Sequence, residues 1–367
     1  MDSTGAQNLK ILAYGCTSSA GQSVEDFWRG LCTGRDHSRR HTPATRVCQW
    51  PARGSSVLDD LSKELLTAWK ETRARLGESA LNRAVLDVGV IFASTKGCID
   101  DYVWADAPVE NRDSLRPVLD QFLKEANLLP KESICVSNAC ASALSALYLA
   151  RSWIRQERVS HVLILAADAA GPFVARGFEV LKTLTPELTR PFDRRRQGFY
   201  LGEAACSLLV GPESDPAPGI RVEGVALDAE GFAVTRPSAG GESLRRACLS
   251  LGAVRPDLIL AHGTATIAND ETEDRVFSLL YDAPITSTKW SIGHTLGASG
   301  AMDLIAACEI LRNRKVFQLA NTEQIDPAFS SKYLIGPGAR DFAGRRVLVS
   351  SLGFGGIHGV AMLGAPS

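Results

Sequence analysis

Ala141-Ser142-Ala143-Leu144-Ser145-Ala146-Leu147 can be laid, residue for residue, on Ala298-Ser299-Gly300-Ala301-Met302-Asp303-Leu304. Each stretch opens a helix rich in small residues. Each follows a segment that reads as a strand, Ile134 to Val136 in the first case and Ile285 to Thr288 in the second. Ala150 and Ala307 continue the match. Small residues on a helix face permit close helix packing, so the two helices are expected to lie against each other at the centre of the molecule. The echo points to an internal duplication of an α/β unit.

Working outward from the first helix, Cys140 falls opposite Gly297 and stands in the run Val136-Ser-Asn-Ala-Cys-Ala-Ser-Ala143. It occupies the turn from strand to helix. A thiolate is the reactive form of cysteine, and the positive end of a helix dipole favours it. Small neighbours allow a substrate carbonyl to approach the sulfur. The competing reading is a buried small hydrophobe.

Gly211 to Gly219 holds three prolines and two glycines in nine residues, a composition that excludes helix and central strand. It divides the chain into an N-terminal half, residues 1–210, and a C-terminal half, residues 220–367. In the first half, strands are expected at Lys10 to Tyr14, Gly89 to Ala93, Val162 to Ala166 and Ala205 to Val210. A glycine/hydroxyl turn is expected over Gly15 to Gly21. Helices are expected from Phe27 to Leu31 with Ser23 as N-cap, over Asp59 to Leu76, Ser79 to Leu86 and Leu115 to Glu125. Arg35 to Ser55 reads as surface loop, and Arg194-Arg195-Arg196 as a solvated turn.

The composition is that of a globular protein: 367 residues, 45% hydrophobic and 22% charged. A net charge of -1 gives no electrostatic reason to expect nucleic-acid binding. Nine cysteines, scattered singly, do not form a disulfide framework and suit a reducing, cytoplasmic setting. The start, Met1 to Gly5, lacks the features of a secretory signal, and no apolar run is long enough for a membrane span.

Only six histidines occur, and two have unusual surroundings. Leu258 to Ala261 reads as a strand delivering His262-Gly263-Thr264-Ala265-Thr266. Lys289 to Gly293 leads to His294, followed by Thr295-Leu296-Gly297. Both lie where α/β folds gather functional groups, at the C-terminal ends of expected strands. A third segment, Gly353-Phe354-Gly355-Gly356-Ile357-His358-Gly359, follows the strand Val347 to Ser350. It suits backbone N–H groups converging on an oxyanion, and as a phosphate loop it lacks the lysine and helix required. On residue types alone, a Cys-His hydrolase and a zinc site stay open, although no ligand pair shares a short motif.

Taken together these segments resemble the elongating β-ketoacyl-acyl-carrier-protein synthases of the thiolase superfamily, in a short ketosynthase II-like form. The resemblance spans nearly the whole chain. It rests on Gly21, Val24, Phe27, Trp28 and Gly34, on Ala139-Cys140-Ala141-Ser142, and on Arg190-Pro191-Phe192-Asp193 with Gly198-Phe199 and Gly202-Glu203. It rests further on His262-Gly263-Thr264 with Thr266 and Asp270, Lys289 with Gly293-His294, and Gly353-Phe354-Gly355-Gly356.

The resemblance implies the α/β thiolase fold, a duplicated αβαβα five-layered architecture. It implies that Cys140 accepts an acyl group from a carrier-protein thioester and condenses it with malonyl-carrier protein, losing carbon dioxide and giving a 3-oxoacyl product. Cys140 and Phe354 backbone N–H groups form the implied oxyanion hole, with Phe354 also a gate. His262 and His294 stabilise the enolate, and Lys289 with Asp303 orients the second histidine's surroundings. Thr264 and Thr266 hold the pantetheine arm, Phe199 lines the acyl pocket, and Gly355 and Gly356 belong to the substrate-binding loop. No cofactor and no metal are expected. The implied partners are an acyl carrier protein and, in a homodimer or heterodimer, a second ketosynthase-like or chain-length-factor chain.

Two histidines with Lys289 match the elongating rather than the initiating type. The presence of Cys140 favours an enzyme over the alternative, a non-catalytic chain-length-factor-like subunit. The chain departs from the family pattern in its compressed stretches between Thr42 and Val90 and before Pro191. It also has Asp303 where glutamate is usual, which shortens the reach toward Lys289, and His358 where asparagine is usual. These departures point to polyketide or aryl-polyene-type assembly more than to housekeeping fatty-acid synthesis.

Overall fold

The echo between the two small-residue helices extends to the order of the strands. A computed structural model of the chain describes residues 8–42, 45–51, 54–103 and 113–366. The start, read above as lacking a secretory leader, lies outside the described residues. Eleven strands form one hydrogen-bonded sheet: β1 (Leu9–Ser18), β2 (Val88–Ala93), β3 (Glu132–Val136), β4 (His161–Asp168), β5 (Ala204–Pro212), β6 (Ile220–Ala229), β7 (Leu258–Leu260), β8 (Pro284–Thr286), β9 (Lys332–Tyr333), β10 (Arg346–Leu352) and β11 (Ile357–Gly364). Their spatial order is β9-β8-β7-β10-β11-β6-β1-β5-β4-β2-β3.

Within the first half the order from edge to centre is β3-β2-β4-β5-β1, and within the second, inside the short edge strand β9, it is β8-β7-β10-β11-β6. Numbered from the start of each half with β9 set aside, both read third, second, fourth, fifth, first. The directions match as well. β2 runs parallel to β3 and β4, while β5 is antiparallel to β4 and β1. β7 runs parallel to β8 and β10, while β11 is antiparallel to β10 and β6. The two first strands join the halves where Leu9, Lys10 and Ile11 face Val222, Arg221 and Ile220. The Pro/Gly-rich stretch separates β5 from β6.

Eight helices matter here: α1 (Val24–Cys32), α2 (Val57–Leu76), α3 (Arg116–Ala126), α4 (Ser142–Arg155), α5 (Pro172–Val180), α6 (Glu242–Ser250), α7 (Ile267–Leu280) and α8 (Ser299–Asn313). Ser23 caps α1 as expected, its hydroxyl accepting the Asp26 N–H at 3.1 Å. α4 and α8 are the two echoing helices. α4 packs on β4, β2 and β3 of one half and on β6 and β11 of the other; α8 packs on β10 and β11 and on β5 and β1. Both therefore form a middle layer between the two halves of the sheet. Their small residues meet there: a side chain built on Gly300 would lie 3.4 Å from Ala143 Cβ and Leu144 Cγ. α2 and α3 cover the outer face of the first half, and α6 and α7 that of the second. The result is the five-layered α/β thiolase fold.

Three local expectations are corrected. β1 runs on to Ser18, because Gly15, Cys16 and Thr17 pair with β5, so the expected turn shrinks to Ser18–Gly21. The supposed loop from Arg35 to Ser55 contains a hairpin, Arg39–Thr42 with Thr45–Cys48, whose second strand pairs with Leu201–Gly202. Val47, Cys48 and Trp50 are buried there, and apolar burial outweighs the polar composition. In the arginine run, Arg196 is buried rather than solvated; it bonds Asp326 and Glu271 and stacks on Phe329.

Candidate active site

Cys140 is presented by a strained turn. Ala139, immediately before it, has φ of +48°, a conformation that is unfavourable for a residue with a side chain. Hydrogen bonds hold it: the Ser142 hydroxyl donates to Ala139 O at 2.6 Å and accepts the Asn138 N–H at 2.9 Å. Ser351 Oγ on β10 donates to the Cys140 carbonyl at 2.8 Å. The position opposite Cys140 in the repeat, Gly297, cannot carry a side chain, because a Cβ there would lie 2.6 Å from Thr95 N. Its N–H donates to the buried Asp168 carboxylate at 2.8 Å, tying the two halves together behind the cysteine.

His294 follows a short helix, Lys289–Ile292, which stands between it and the expected strand, so the histidine is not at the strand's end. Gly293 turns the chain with φ of +72°. The His294 N–H donates to Tyr200 O and its carbonyl accepts the Gly202 N–H, both at 2.9 Å. In the ring, Nδ1 accepts the Leu296 N–H at 3.2 Å. A neutral ring with Nδ1 as acceptor carries its proton on Nε2, and Nε2 lies 3.0 Å from Cys140 Sγ. His262 stands at the end of β7, where its backbone N–H donates to Glu273 at 2.8 Å. The two imidazoles are 5.1 Å apart and nearly perpendicular. His262 Nδ1 is buried without a hydrogen-bond partner among the described residues.

Burial dominates the electrostatics. It pushes the Cys140 thiol up to about 12, against the downward pull of Lys289 and of the backbone N–H groups of Phe354 and Cys140, with Asp168 adding to the rise. The expected lowering by the helix dipole is thus overturned, because desolvation of a thiolate exceeds it. Burial, then Lys289, holds both His262 and His294 well below the usual histidine value. Thiol and both imidazoles are therefore neutral near pH 7. Lys289 and Asp303 sit behind the cavity, both fully buried, with Nζ 3.3 Å from Oδ2. The shorter aspartate still reaches the lysine, and Thr288 Oγ1 bonds its other oxygen at 2.6 Å.

The ligand atoms of Cys140, His262 and His294 lie within 4.8 Å of one another, close enough to hold a metal ion. The His294 tautomer opposes it. Binding through Nε2 moves the proton to Nδ1, where it confronts the Leu296 N–H.

These three residues line a cavity of about 130 Å³ together with Thr264, Thr266, Phe199, Gly353, Phe354 and His358. Thr264 and Thr266 hydroxyls are 2.9 Å apart, and Phe199 meets the His294 ring edge-on at 5.0 Å. Gly355 and Gly356 do not line the cavity; they form the turn behind Phe354, with φ of +87° and +79°. The Gly355 N–H donates to Val234 O at 2.7 Å. His358 is buried on β11, its Nε2 3.8 Å from Glu230.

Beyond the cavity lies an open apolar groove of about 610 Å³ along α5, with Val174 and Leu181 among its residues. Phe178 and Phe354, 5.5 Å apart, line both spaces and form the wall between them. Sequence reasoning missed Phe178, Asp168 and Glu273. Glu273 is fully buried and accepts the N–H groups of His262 and Gly263, each at 2.8 Å. Its one signal was an acidic residue too many on one helix, since Asn269, Asp270 and Glu273 share a face of α7.

Comparison with known proteins identifies the family. The profile described as beta-ketoacyl synthase, N-terminal domain matches residues 132–215, and that of the C-terminal domain matches residues 221–323. Nodulation protein E of Rhizobium meliloti is 36% identical over 207 residues, 52% of each chain, so the match spans about half the length of that curated relative. The 3-oxoacyl-[acyl-carrier-protein] synthase 2 of a Synechocystis strain is 25% identical over 97% of both chains. Among solved structures, the ishigamide ketosynthase/chain length factor superposes with a TM-score of 0.85 at 23% identity, covering 98% of this chain and all of that one.

Proposed function

Because this chain belongs to the beta-ketoacyl synthase family, we propose that it is a β-ketoacyl-acyl-carrier-protein synthase with Cys140 as nucleophile. The observation that carries the reading is the approach of His294 Nε2 to Cys140 Sγ at 3.0 Å, with His262 beside it in one buried cavity.

In the first step the Cys140 sulfur attacks the carbonyl carbon of an acyl thioester on a carrier protein. The negative charge on the carbonyl oxygen is met by the Cys140 and Phe354 N–H groups, and the carrier's pantetheine thiol leaves with the proton released by Cys140. In the second, malonyl-carrier protein enters past Thr264 and Thr266. Its bond to the carboxylate breaks, carbon dioxide departs, and the electron pair moves onto the thioester oxygen. N–H donors on His294 and His262 stabilise that enolate. Both rings are neutral, so they donate hydrogen bonds without first giving up a full proton. The enolate carbon then attacks the acyl-Cys140 carbonyl, the Cys140–acyl bond breaks, the departing sulfur takes up a proton from water to restore the thiol, and a 3-oxoacyl thioester results. No step requires a cofactor.

Phe199, Phe178 and Phe354 supply the apolar surroundings that suit an acyl chain. Lys289 and Asp303 are positioning residues. The two structural repeats correspond to residues 1–210 and 220–367, the first carrying the nucleophile and the second both histidines. The retained cysteine and both histidines weigh against a purely non-catalytic subunit. The partners of this reading are an acyl carrier protein and a second chain of the family. No helix among the described residues is long and apolar enough to cross a membrane.

The test is intact-mass measurement after incubation with a panel of acyl-carrier proteins. An acyl mass added to the wild type and absent from Cys140→Ala is expected. A folded protein that takes up no acyl group from any member of the panel refutes the reading.

A further inference from the structure

Asp168 ends β4 and is fully buried. A buried carboxylate is costly unless its oxygens are satisfied, so its partners matter. Oδ1 accepts from Ser94 Oγ at 2.8 Å and from the Lys96 N–H at 3.4 Å. Oδ2 accepts the Thr95 N–H and the Gly297 N–H, each at 2.8 Å. Burial pushes the carboxyl up, and the Lys96 ammonium and these donors pull it back. Every one of these contacts is a donor, the environment of an ionised carboxylate.

Oδ2 thus joins one N–H from each half of the molecule, and each leads by a short path to the cavity. Thr95 Oγ1 donates to Ala139 O at 3.3 Å, next to Cys140. Gly297 follows Leu296, whose N–H donates to His294 Nδ1 at 3.2 Å. Ala139 and Leu296 share a second property: both carry side chains, and both have positive φ, +48° and +54°. Such strain persists only where the surroundings hold it. The two strained turns of the site, one presenting Cys140 and the other following His294, are therefore tied to one oxygen atom.

The internal repeat accounts for the place of the carboxylate. Gly297 is the counterpart of Cys140, so its N–H is the counterpart of the one read above as an oxyanion donor. Asp168 gives that N–H a permanent anion. The last residue of β10, the strand that matches β4 in the repeat, is the apolar Leu352.

We propose that Asp168 is a positioning residue for the condensation, holding the Cys140 turn and the His294 turn in register through Oδ2. The inference rests on the reading of Cys140 as the nucleophile. The charge of Asp168 works the other way, since it adds to the burial that raises the Cys140 thiol. Removing the charge alone favours the thiolate, whereas removing the hydrogen bonds loosens the site, so the two effects are separable.

Asp168→Asn removes the charge but keeps an amide oxygen for Thr95 and Gly297; Asp168→Leu removes both. Each variant is expected to be alkylated by iodoacetamide at pH 8 about tenfold faster than wild type, because the thiolate loses a like charge beside it. Acyl loading of Cys140, followed by intact mass, should stay near the wild-type rate in Asp168→Asn. In Asp168→Leu it should fall roughly 10²-fold, the order expected when reacting groups are misplaced by about 1 Å. Asp168→Leu loading as fast as Asp168→Asn overturns the proposal, and so does a folded Asp168→Asn that loses as much as Asp168→Leu. Alkylation that falls in step with loading marks a general structural defect and overturns it as well. Circular dichroism checks folding. Thr95→Val, which keeps Asp168 and the Thr95 N–H, is a second test: it should slow loading and leave alkylation unchanged, and loading at the wild-type rate overturns the proposal. A wild type that takes up no acyl group fails the catalytic reading before any variant is compared.

Discussion

Lys289 Nζ lies 3.3 Å from Asp303 Oδ2, and neither side chain is exposed to solvent. Removing one partner of a buried pair leaves an uncompensated charge. Lys289→Met is therefore expected to destabilise the fold by about 3–5 kcal/mol. Lys289→Met/Asp303→Leu should lose less than Lys289→Met alone, measured by urea unfolding. Equal or greater loss in the double variant contradicts the pairing.

Burial raises the Cys140 thiol to about 12, so only a small fraction of the free enzyme is thiolate near neutral pH. The rate of alkylation by iodoacetamide should rise about tenfold per pH unit from about pH 7 to pH 10, without a plateau. A plateau near pH 7 would show that the cavity stabilises the thiolate instead.

In the proposed reaction His262 faces the developing enolate; it stands beside His294, which alone of the two bonds Cys140. His262→Ala is expected to slow carbon dioxide release from malonyl-carrier protein by roughly 10²–10³-fold, the loss typical of one donor to a developing oxyanion. Acyl loading should change far less. Equal loss in both half-reactions would place His262 in thiol activation.

Phe178 and Phe354 separate the cavity of about 130 Å³ from the apolar groove of about 610 Å³. Phe178→Ala should join the two and shift loading toward longer acyl chains, read as the ratio of long to short acyl adducts on Cys140. An unchanged ratio means that the chain runs elsewhere.

The folded value of His262 lies well below the ordinary 6.5, chiefly through burial. The unfolded chain therefore holds more protons on this residue between 6.5 and the lower folded value, and stability falls as pH drops through that window. Buried Asp270, pushed up to about 7, contributes with the opposite sign, so the comparison must be between proteins. The melting temperature of wild type should fall more steeply below pH 6.5 than that of His262→Gln. Parallel curves contradict the neutral, buried imidazole.

Much of the architecture was legible because it is written in short-range patterns. Apolar runs of strand length, the Ser23 cap and the proline-rich break before Ile220 each act over a few residues. The small-residue echo carried further: it identified α4 and α8 as counterparts, and the repeated strand order agrees with it. The failures came where tertiary contact overrode local composition. Arg39 to Cys48 is polar enough to read as loop, yet the Leu201–Gly202 strand gives it a partner and Trp50 a buried site. Arg196 reads as solvated until Asp326 and Phe329 come to it from more than a hundred residues away.

The sequence by itself determined which side chains are the candidates for the chemistry, since Cys140, His262, His294 and Phe354 each lie in a motif whose glycines and small residues need no distant partner to be recognised. Tertiary structure alone decided how those groups are tuned. Cys140 and His294 are 154 positions apart, and only the fold brings them to 3.0 Å, sets the His294 tautomer through Leu296 and brings the Phe354 backbone N–H to the thiol. The sign of the thiol shift was decided there too. A helix dipole is a local property that a sequence reveals, but desolvation depends on every layer packed around the site, and in this protein desolvation is the larger effect.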